Sequence, residues 1–165
     1  MQADSSILHP RVREALESLQ IRFDALPCDP SFADTAEFCA RYGFATGEVC
    51  NTILVVVKKE PREYVGCLVR SDTKLDVNHR VADAVAFKRL SFASGEETAA
   101  LSGMEIGGVT LVGLPAMMPL LIDERVFDSP TVILGGGNRT SKIRLAPAEL
   151  MKLPGVRVAA IAVLR

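Results

Sequence analysis

The sequence is poor in the residues on which metal-binding and disulfide-bonded proteins depend. Its 165 residues include no tryptophan, two histidines and four cysteines. The cysteines, Cys28, Cys39, Cys50 and Cys67, form no CxxC pair, which argues against a zinc site. Their pattern is typical of small buried side chains in a reducing compartment, with a catalytic thiol as the alternative.

Long apolar runs and a secretory signal are also missing. No stretch approaches the roughly 18 uninterrupted apolar residues of a membrane span, and the start MQADSSILHP has no basic segment followed by an apolar one. We therefore expect a soluble, cytoplasmic protein that does not bind a membrane. The sequence has no GxSxG turn, Walker loop, HExxH motif or GxGxxG motif after a strand. Composition and spacing alone leave the function open and imply no metal or organic cofactor.

The chain has little net charge, but the charge is unevenly distributed. An apolar fraction of 48% in 165 residues suffices for one core, which predicts a single domain over residues 1–165. A net charge of −1 argues against a generally basic binder of DNA. Residues 51–90 nevertheless carry eight basic and five acidic side chains, and residues 129–165 carry six and one. These two positive segments can form one face for a phosphate backbone, and ordinary solvated charge is the alternative.

Short helices alternate with short strands in the first half of the chain. Apolar residues at helical spacing predict a helix over Val12–Leu19. The β-branched run TILVVVKK (52–59) and the run YVGCLVR (64–70) predict a hairpin at the centre of a sheet. Capping boxes at Asp34 with Glu37 and at Ser94 with Glu97 predict two further helices.

The second half of the chain predicts more strands than helices. Strands are expected at PLLID (119–123), TVILGG (131–136), residues 141–145 and VRVAAIAVL (156–164), and a helix at PAELMKL (147–153). The hairpin requires antiparallel pairing, and helix-connected strands allow parallel pairing. The fold class is therefore α/β of the α+β type, with a mixed sheet of about six to seven strands surrounded by short helices.

Five separated runs indicate a family. They are DTAEFCARYG (34–43), GEVCNTILVV (47–56), LSFASGEETAALSGMEIGGVTLVG (90–113), PLLIDERV (119–126) and LGGGNRTSKIRLAPAELMKL (134–153). In order and spacing they resemble the YbaK/EbsC family, also called prolyl-tRNA synthetase-associated domains. The resemblance implies a curved mixed sheet and a trans-editing deacylase that hydrolyses the ester between a small amino acid and the wrong tRNA. The implied partners are the tRNA acceptor end and an aminoacyl-tRNA synthetase.

Asn51 is the catalytic candidate that the resemblance provides. The family carries a lysine here, in a run of the type V-x-K-T-L, which this chain matches with residues 49–53. An amide can donate a hydrogen bond to a carbonyl or a phosphate, but it lacks the lysine's charge. An aminoacyl ester is already activated, so positioned water and a stabilised oxyanion suffice without a protein nucleophile. Three alternatives remain. Asn51 is an asparagine at a strand start that only makes hydrogen bonds to backbone groups, the protein is a non-catalytic homologue that binds tRNA or an amino acid, or it is a thiol enzyme that uses Cys50.

Two glycine-rich loops are predicted to bind the substrate. The first matches a family loop of the type G-G-x-S-P-x-G, with Leu111 at the proline position, where we expect it to change the stiffness and volume of the pocket. In the second, glycine amides are expected to bind an anion and Arg139 a phosphate, with Lys142 and Arg144 extending a strip that faces tRNA. Ordinary loops without a ligand are the alternative. The predicted substrate-binding residues are Gly107, Gly108, Val109, Thr110, Leu111, Gly113, Gly136, Gly137 and Arg139.

Overall fold

The computed structural model describes residues 4–165, and their strands fall into three sheets. The strands are β1 (Asp24–Pro27), β2 (Cys50–Val57), β3 (Glu63–Arg70), β4 (Thr73–Leu75), β5 (Leu90–Phe92), β6 (Leu120–Asp123), β7 (Val132–Gly135), β8 (Ser141–Leu145), β9 (Val156–Ala159) and β10 (Ala162–Leu164). Five of them form the central sheet in the order β5-β2-β3-β6-β9. The smaller sheets have the orders β1-β8-β7 and β10-β4.

The helices are short and lie between the strands. The α-helices are α1 (Pro10–Ser18), α2 (Thr35–Tyr42), α3 (Ala82–Val85) and α4 (Gly95–Ser102). Short 3-10 helices occupy Ser5–Ile7, Pro30–Phe32, Thr46–Glu48, Glu124–Asp128 and Pro147–Lys152, and a π-helix occupies Val77–Val81. Within residues 4–165, no helix is both long enough and apolar enough to cross a membrane.

The predicted hairpin forms the centre of the five-stranded sheet. β2 and β3 pair antiparallel, with Asn51 opposite Val69. β5 adds antiparallel to β2, whereas β6 and β9 continue the sheet in parallel from β3, so the mixed pairing is confirmed. The residues of β2 from Leu54 to Val57 are buried, but Asn51, Thr52 and Ile53 are only half-buried. The first half of this strand therefore faces a less filled space than the second.

The α/β class is confirmed, but the strands are shorter and more numerous than the sequence indicates. The three sheets replace the expected single sheet of six to seven strands. The run VRVAAIAVL is not one buried strand, because it divides into β9 and β10, which join different sheets. The buried carboxylate of Asp123 accepts hydrogen bonds from the N–H groups of Ile161 and Ala162 at 2.9 and 3.0 Å. These bonds hold the turn at which the chain changes sheets.

One of the two predicted capping boxes forms. At the start of α4, the Ser94 hydroxyl accepts from the Glu97 N–H, and the Glu97 carboxylate accepts from the Ser94 N–H, each at 3.0 Å. Asp34 precedes α2, but its side chain makes no capping bond, so the capping box predicted there is wrong. The carboxylate instead lies 3.5 Å from Nη1 of Arg139. It thereby links the start of α2 to the loop between β7 and β8.

The sheet β1-β8-β7 meets the central sheet at the beginning of β2. A parallel bridge joins Val49 to Ile133 of β7. In the hairpin that follows, Gly135 of β7 pairs with Lys142 of β8. The fold thus places the first residues of β2 beside the β7–β8 hairpin, although the two segments are far apart in sequence.

Candidate functional site

A cleft of about 450 Å³ opens where these two sheets meet. The start of β2, the start of α2, the end of β5 and the loop before β6 contribute to its walls. The lining residues are Ala33, Asp34, Thr35, Cys50, Asn51, Thr52, Ile53, Leu54, Phe92, Ala93, Gly95, Thr98, Ile106, Gly107, Val109, Gly135 and Lys142.

Asn51 lies in the wall of the cleft and is oriented by α2. Its Oδ1 accepts a hydrogen bond of 2.7 Å from the hydroxyl of Thr35. An amide group also carries two N–H donors on Nδ2, and within residues 4–165 these donors make no hydrogen bond. The Thr35 contact therefore fixes the side chain with its donating end available to a ligand.

The first glycine loop contributes two of its six predicted residues to the lining. Gly107 and Val109 line the cleft, and Gly107 adopts a left-handed conformation with φ +94. Gly108 is buried, and a Cβ there would overlap the backbone carbonyl of Asn138. Its role in this structure is therefore to let the two glycine-rich loops approach each other.

The remainder of the first loop lies behind the cleft. Thr110 and Leu111 are 0% and 1% exposed, and neither lines the cleft. Leu111 belongs to the main hydrophobic cluster, and Gly113 packs against the backbone of Arg11. The expectation that Leu111 alters the pocket volume is wrong, because this side chain fills the core instead.

The second glycine turn does not present free amides. The N–H of Gly136 donates to the carbonyl of Ser141 at 3.2 Å, and that of Gly137 donates to the carbonyl of Gly108 at 2.7 Å. Both glycines are buried, and neither lines the cleft. The expected anion site at this turn is therefore not formed, because the two amides already hold the hairpin and the neighbouring loop together.

Arg139 links the second loop to the segment before α2. Its Nη2 donates to the carbonyl of Pro30 at 3.0 Å, and its Nη1 lies 3.5 Å from Asp34. Arg139 is not among the residues that line the cleft. Its guanidinium packs over Gly107, where a Cβ would displace it. In this structure Arg139 positions the loops, and its predicted contact with phosphate stays a prediction.

Lys142 lies inside the cleft wall, where the sequence did not place it. It is 6% exposed, and its Nζ donates to the carbonyl of Ala33 at 2.8 Å. Nζ also lies 5.2 Å from the centre of the Phe38 ring. Burial lowers the pKa of this ammonium group. Strand alternation in β8 places Lys142 on one face with Arg144, but that pattern does not reveal which of the two is buried.

The cysteines are buried, and the thiol in the cleft is poorly reactive. Cys28, Cys39, Cys50 and Cys67 are buried and form no disulfide. Burial raises the pKa of the Cys50 thiol to about 12, so the nucleophilic thiolate is scarce at neutral pH. This disfavours the thiol-enzyme alternative. Among residues 4–165, no group of three His, Cys, Asp or Glu side chains is arranged to hold a metal ion.

The mouth of the cleft is apolar. Phe92, the last residue of β5, is 57% exposed, and Ile106, before the first glycine loop, is 53% exposed. Both line the cleft. A large exposed aromatic ring beside the cleft provides a surface on which a flat nucleobase can stack.

Comparison with known proteins identifies the family. The model of the aminoacyl-tRNA editing domain matches residues 29–153, a range that contains all the lining residues of the cleft. The chain belongs to this family. Membership confirms the resemblance in the sequence, including the YbaK type of the domain.

Solved structures support the assignment. One is that of a candidate trans-editing enzyme for prolyl tRNA synthetase, which is 27% identical, has a TM-score of 0.81 and is matched over 98% of both chains. A second, the hypothetical protein APE2540, is 24% identical with a TM-score of 0.83, and covers 93% of this chain and 99% of its own. The second similarity concerns the fold alone. This chain is therefore an aminoacyl-tRNA editing domain whose fold extends beyond the family match on both sides.

Proposed function

We propose that this editing domain is a trans-acting aminoacyl-tRNA deacylase that hydrolyses the ester of a small amino acid on the wrong tRNA. The observation that supports it is the position of Asn51, which lines a cleft shared with Gly107 and Val109 of the first glycine loop and whose amide donors make no hydrogen bond within residues 4–165. The similarity to a candidate trans-editing enzyme for prolyl tRNA synthetase supports the same class of reaction. We further propose that the chain acts as one domain in the cytoplasm, with a synthetase as a second partner.

The proposed reaction needs water and polar donors but no covalent intermediate. The oxygen of a water molecule bonds to the ester carbonyl carbon, and the carbonyl oxygen gains negative charge. The carbon–oxygen bond to the ribose then breaks, and the ribose oxygen takes up a proton. The products are the free amino acid and a tRNA with a free terminal hydroxyl. In this scheme, Nδ2 of Asn51 donates to the carbonyl oxygen of the ester, which orients the ester and stabilises the negative charge that this oxygen gains.

The acceptor end of the tRNA is proposed to approach along β5. Lys58, Lys88 and Arg89 are exposed, and the N–H of Lys58 donates to the carbonyl of Arg89 at 2.8 Å. Strand geometry separates Arg89 from Phe92 at the cleft mouth by roughly 10 Å. Many other cations of the two positive segments are already paired, as Arg144 is with Asp24. We therefore assign phosphate contacts to this cluster and stacking of the terminal base to Phe92.

A panel of mischarged tRNAs tests the activity. The purified protein is incubated with tRNAs carrying noncognate alanine, cysteine, serine or threonine, and release of the labelled amino acid is followed against the rate without protein. We expect release from at least one member of the panel. Absence of release from all of them rejects the deacylase.

The second candidate function is a non-catalytic domain that binds tRNA or an amino acid. The neutral side chain at position 51 favours it, because Asn51 supplies no charge and Thr35 already occupies its oxygen. Two variants distinguish the candidates in the same assay. If the native protein is a deacylase, Asn51→Ala should lower kcat about 100-fold, the usual loss on removing one oxyanion donor. A silent native protein that gains activity in Asn51→Lys would identify the binding domain.

A further inference from the structure

A buried positive charge lies in the cleft wall without a carboxylate to balance it. Lys142 is 6% exposed, and within residues 4–165 no carboxylate forms an ion pair with its Nζ. Asp34 acts on the charge of Lys142 from beyond ion-pair distance, and its carboxylate lies 3.5 Å from Nη1 of Arg139. Burying an unpaired ammonium group costs several kcal/mol even after the protein relaxes. Because this buried charge does little to stabilise the fold, a functional role accounts better for its presence. A ligand that carries negative charge would then balance it.

The hydrogen bonds of Lys142 leave capacity for that ligand. An ammonium group has three N–H donors, and one of them donates to the carbonyl of Ala33 at 2.8 Å. The Phe38 ring, with its centre 5.2 Å away, attracts the charge from a second direction. Neither contact neutralises the cation. Because Lys142 lines the same cleft as Asn51, the remaining donor capacity belongs to the proposed reaction site.

We propose that Lys142 is a catalytic residue that stabilises the negative oxygen formed when water adds to the ester carbonyl. This role rests on the proposed deacylase function. As the water oxygen bonds to the carbonyl carbon, the π electron pair moves to the carbonyl oxygen, which faces Nζ. The pair returns when the carbon–oxygen bond to the ribose breaks, and the ribose oxygen takes a proton that originates from the attacking water. Lys142 keeps its own protons throughout, so its contribution is electrostatic.

Burial is the main influence on the titration of Lys142, and it lowers the pKa of the ammonium group. The titratable and charged groups that face it are Cys28 after β1, Cys39 on α2, Asp34 before α2 and Arg139 in the β7–β8 loop. Burial raises the pKa of both thiols, so neither supplies a negative charge near pH 7. The lowered pKa of Lys142 means that its charge is lost at a lower pH than that of an exposed lysine. The catalysed rate should therefore fall on the alkaline side.

Three variants test the role of Lys142. Lys142→Met removes the charge while retaining much of the side-chain volume, and Lys142→Arg retains the charge. Lys74→Met is the matched control, because Lys74 is an exposed lysine of β4 that does not line the cleft. Each protein is assayed for kcat and KM on the tRNA that the native protein hydrolyses, from about pH 6 to about pH 10, with thermal unfolding in parallel.

We expect Lys142→Met to lower kcat about 100-fold with little change in KM, since a negative oxygen exists only in the transition state. Lys142→Arg should retain part of the activity, and the Lys74 control should match the native protein. The alkaline decline should be absent from whatever activity Lys142→Met retains. The melting temperature of Lys142→Met should not fall, because the substitution removes an unpaired buried charge.

Other results overturn the proposal in distinguishable ways. A kcat for Lys142→Met within about threefold of native shows that the charge does not act in the transition state. A loss confined to KM assigns Lys142 to binding and also rejects the catalytic role. If Lys142→Met does not fold, the native protein decides, because a kcat without an alkaline decline contradicts a charged Lys142 in catalysis. A native protein inactive on the whole panel rejects the deacylase itself.

Discussion

Strands β2 and β8 meet at one cleft but equip it differently. β2 contributes Asn51, which is neutral, half-buried and oriented by Thr35 at 2.7 Å. β8 contributes Lys142, which is charged, 6% exposed and held by one carbonyl at 2.8 Å. The first side chain offers hydrogen bonds with defined direction, and the second offers charge with little directional requirement.

This difference shows how a cleft can divide two tasks between separate elements. Asn51 is neutral and only half-buried, so it loses far less hydration than a buried charge and can lie at a strand start with one hydrogen bond to Thr35. Burying an unpaired ammonium group costs free energy. The location of Lys142 in a cleft wall is therefore evidence for a function that uses its charge. In the family, a lysine at the position of Asn51 would combine both tasks on β2. We propose that this chain distributes them between β2 and β8.

The largest expected effect comes from removing both side chains. If Asn51 and Lys142 act on the same substrate oxygen, each single variant should lose about 100-fold in kcat, and Asn51→Ala/Lys142→Met about 1000-fold. The double loss should be smaller than the product of the single losses, because residues that act as a unit are not additive. Single-turnover deacylation of the four proteins measures this coupling. A double loss equal to the product would assign the two side chains to independent steps.

The fold was largely predictable from the sequence because local signals carried it. The hairpin of β2 and β3 follows from two β-branched runs around a short turn, and α4 follows from Ser94, Glu97 and Gly103. The division of the last run into β9 and β10 was not predictable, because it depends on Asp123 from a distant strand. Local patterns do not contain such contacts.

The candidate site was predictable in part, for a related reason. The family motif led to Asn51, Gly107 and Val109, which line the cleft. The same motifs included Leu111 and Gly137, whose positions serve packing between loops and core. Lys142 was placed on a surface strip, because a lysine in a short strand gives no local sign of burial. Its location depends on Ala33 and Phe38, which come from another part of the chain.

The contact between the two glycine-rich loops depends on the absence of a side chain at Gly108. A Cβ at Gly108 would overlap the backbone of Asn138, and backbone cannot move aside as a flexible side chain does. Gly108→Ala should therefore lower the free energy of unfolding by about 2 kcal/mol. Gly95→Ala is the matched control, since a Cβ there meets nothing within 4 Å at the first turn of α4, and it should stabilise the protein by about 0.5 kcal/mol. Denaturant unfolding measures both, and equal stabilities would contradict the close contact between the loops.

The smallest expected effect concerns the orientation of Asn51 alone. Thr35→Val removes the hydroxyl that donates to Oδ1 of Asn51, so the amide can rotate and its donors lose their fixed direction. Loss of one such hydrogen bond is worth about 1 kcal/mol, which corresponds to a roughly fivefold lower kcat. Thr131→Val, at an exposed position before β7, should leave kcat unchanged.

The comparison of β2 with β8 also predicts how the Thr35→Val variant depends on pH. Thr35→Val should preserve the alkaline decline that Lys142→Met removes, because the charge on β8 is intact. If Thr35→Val instead abolished that decline, the amide and the ammonium group would not perform separate tasks.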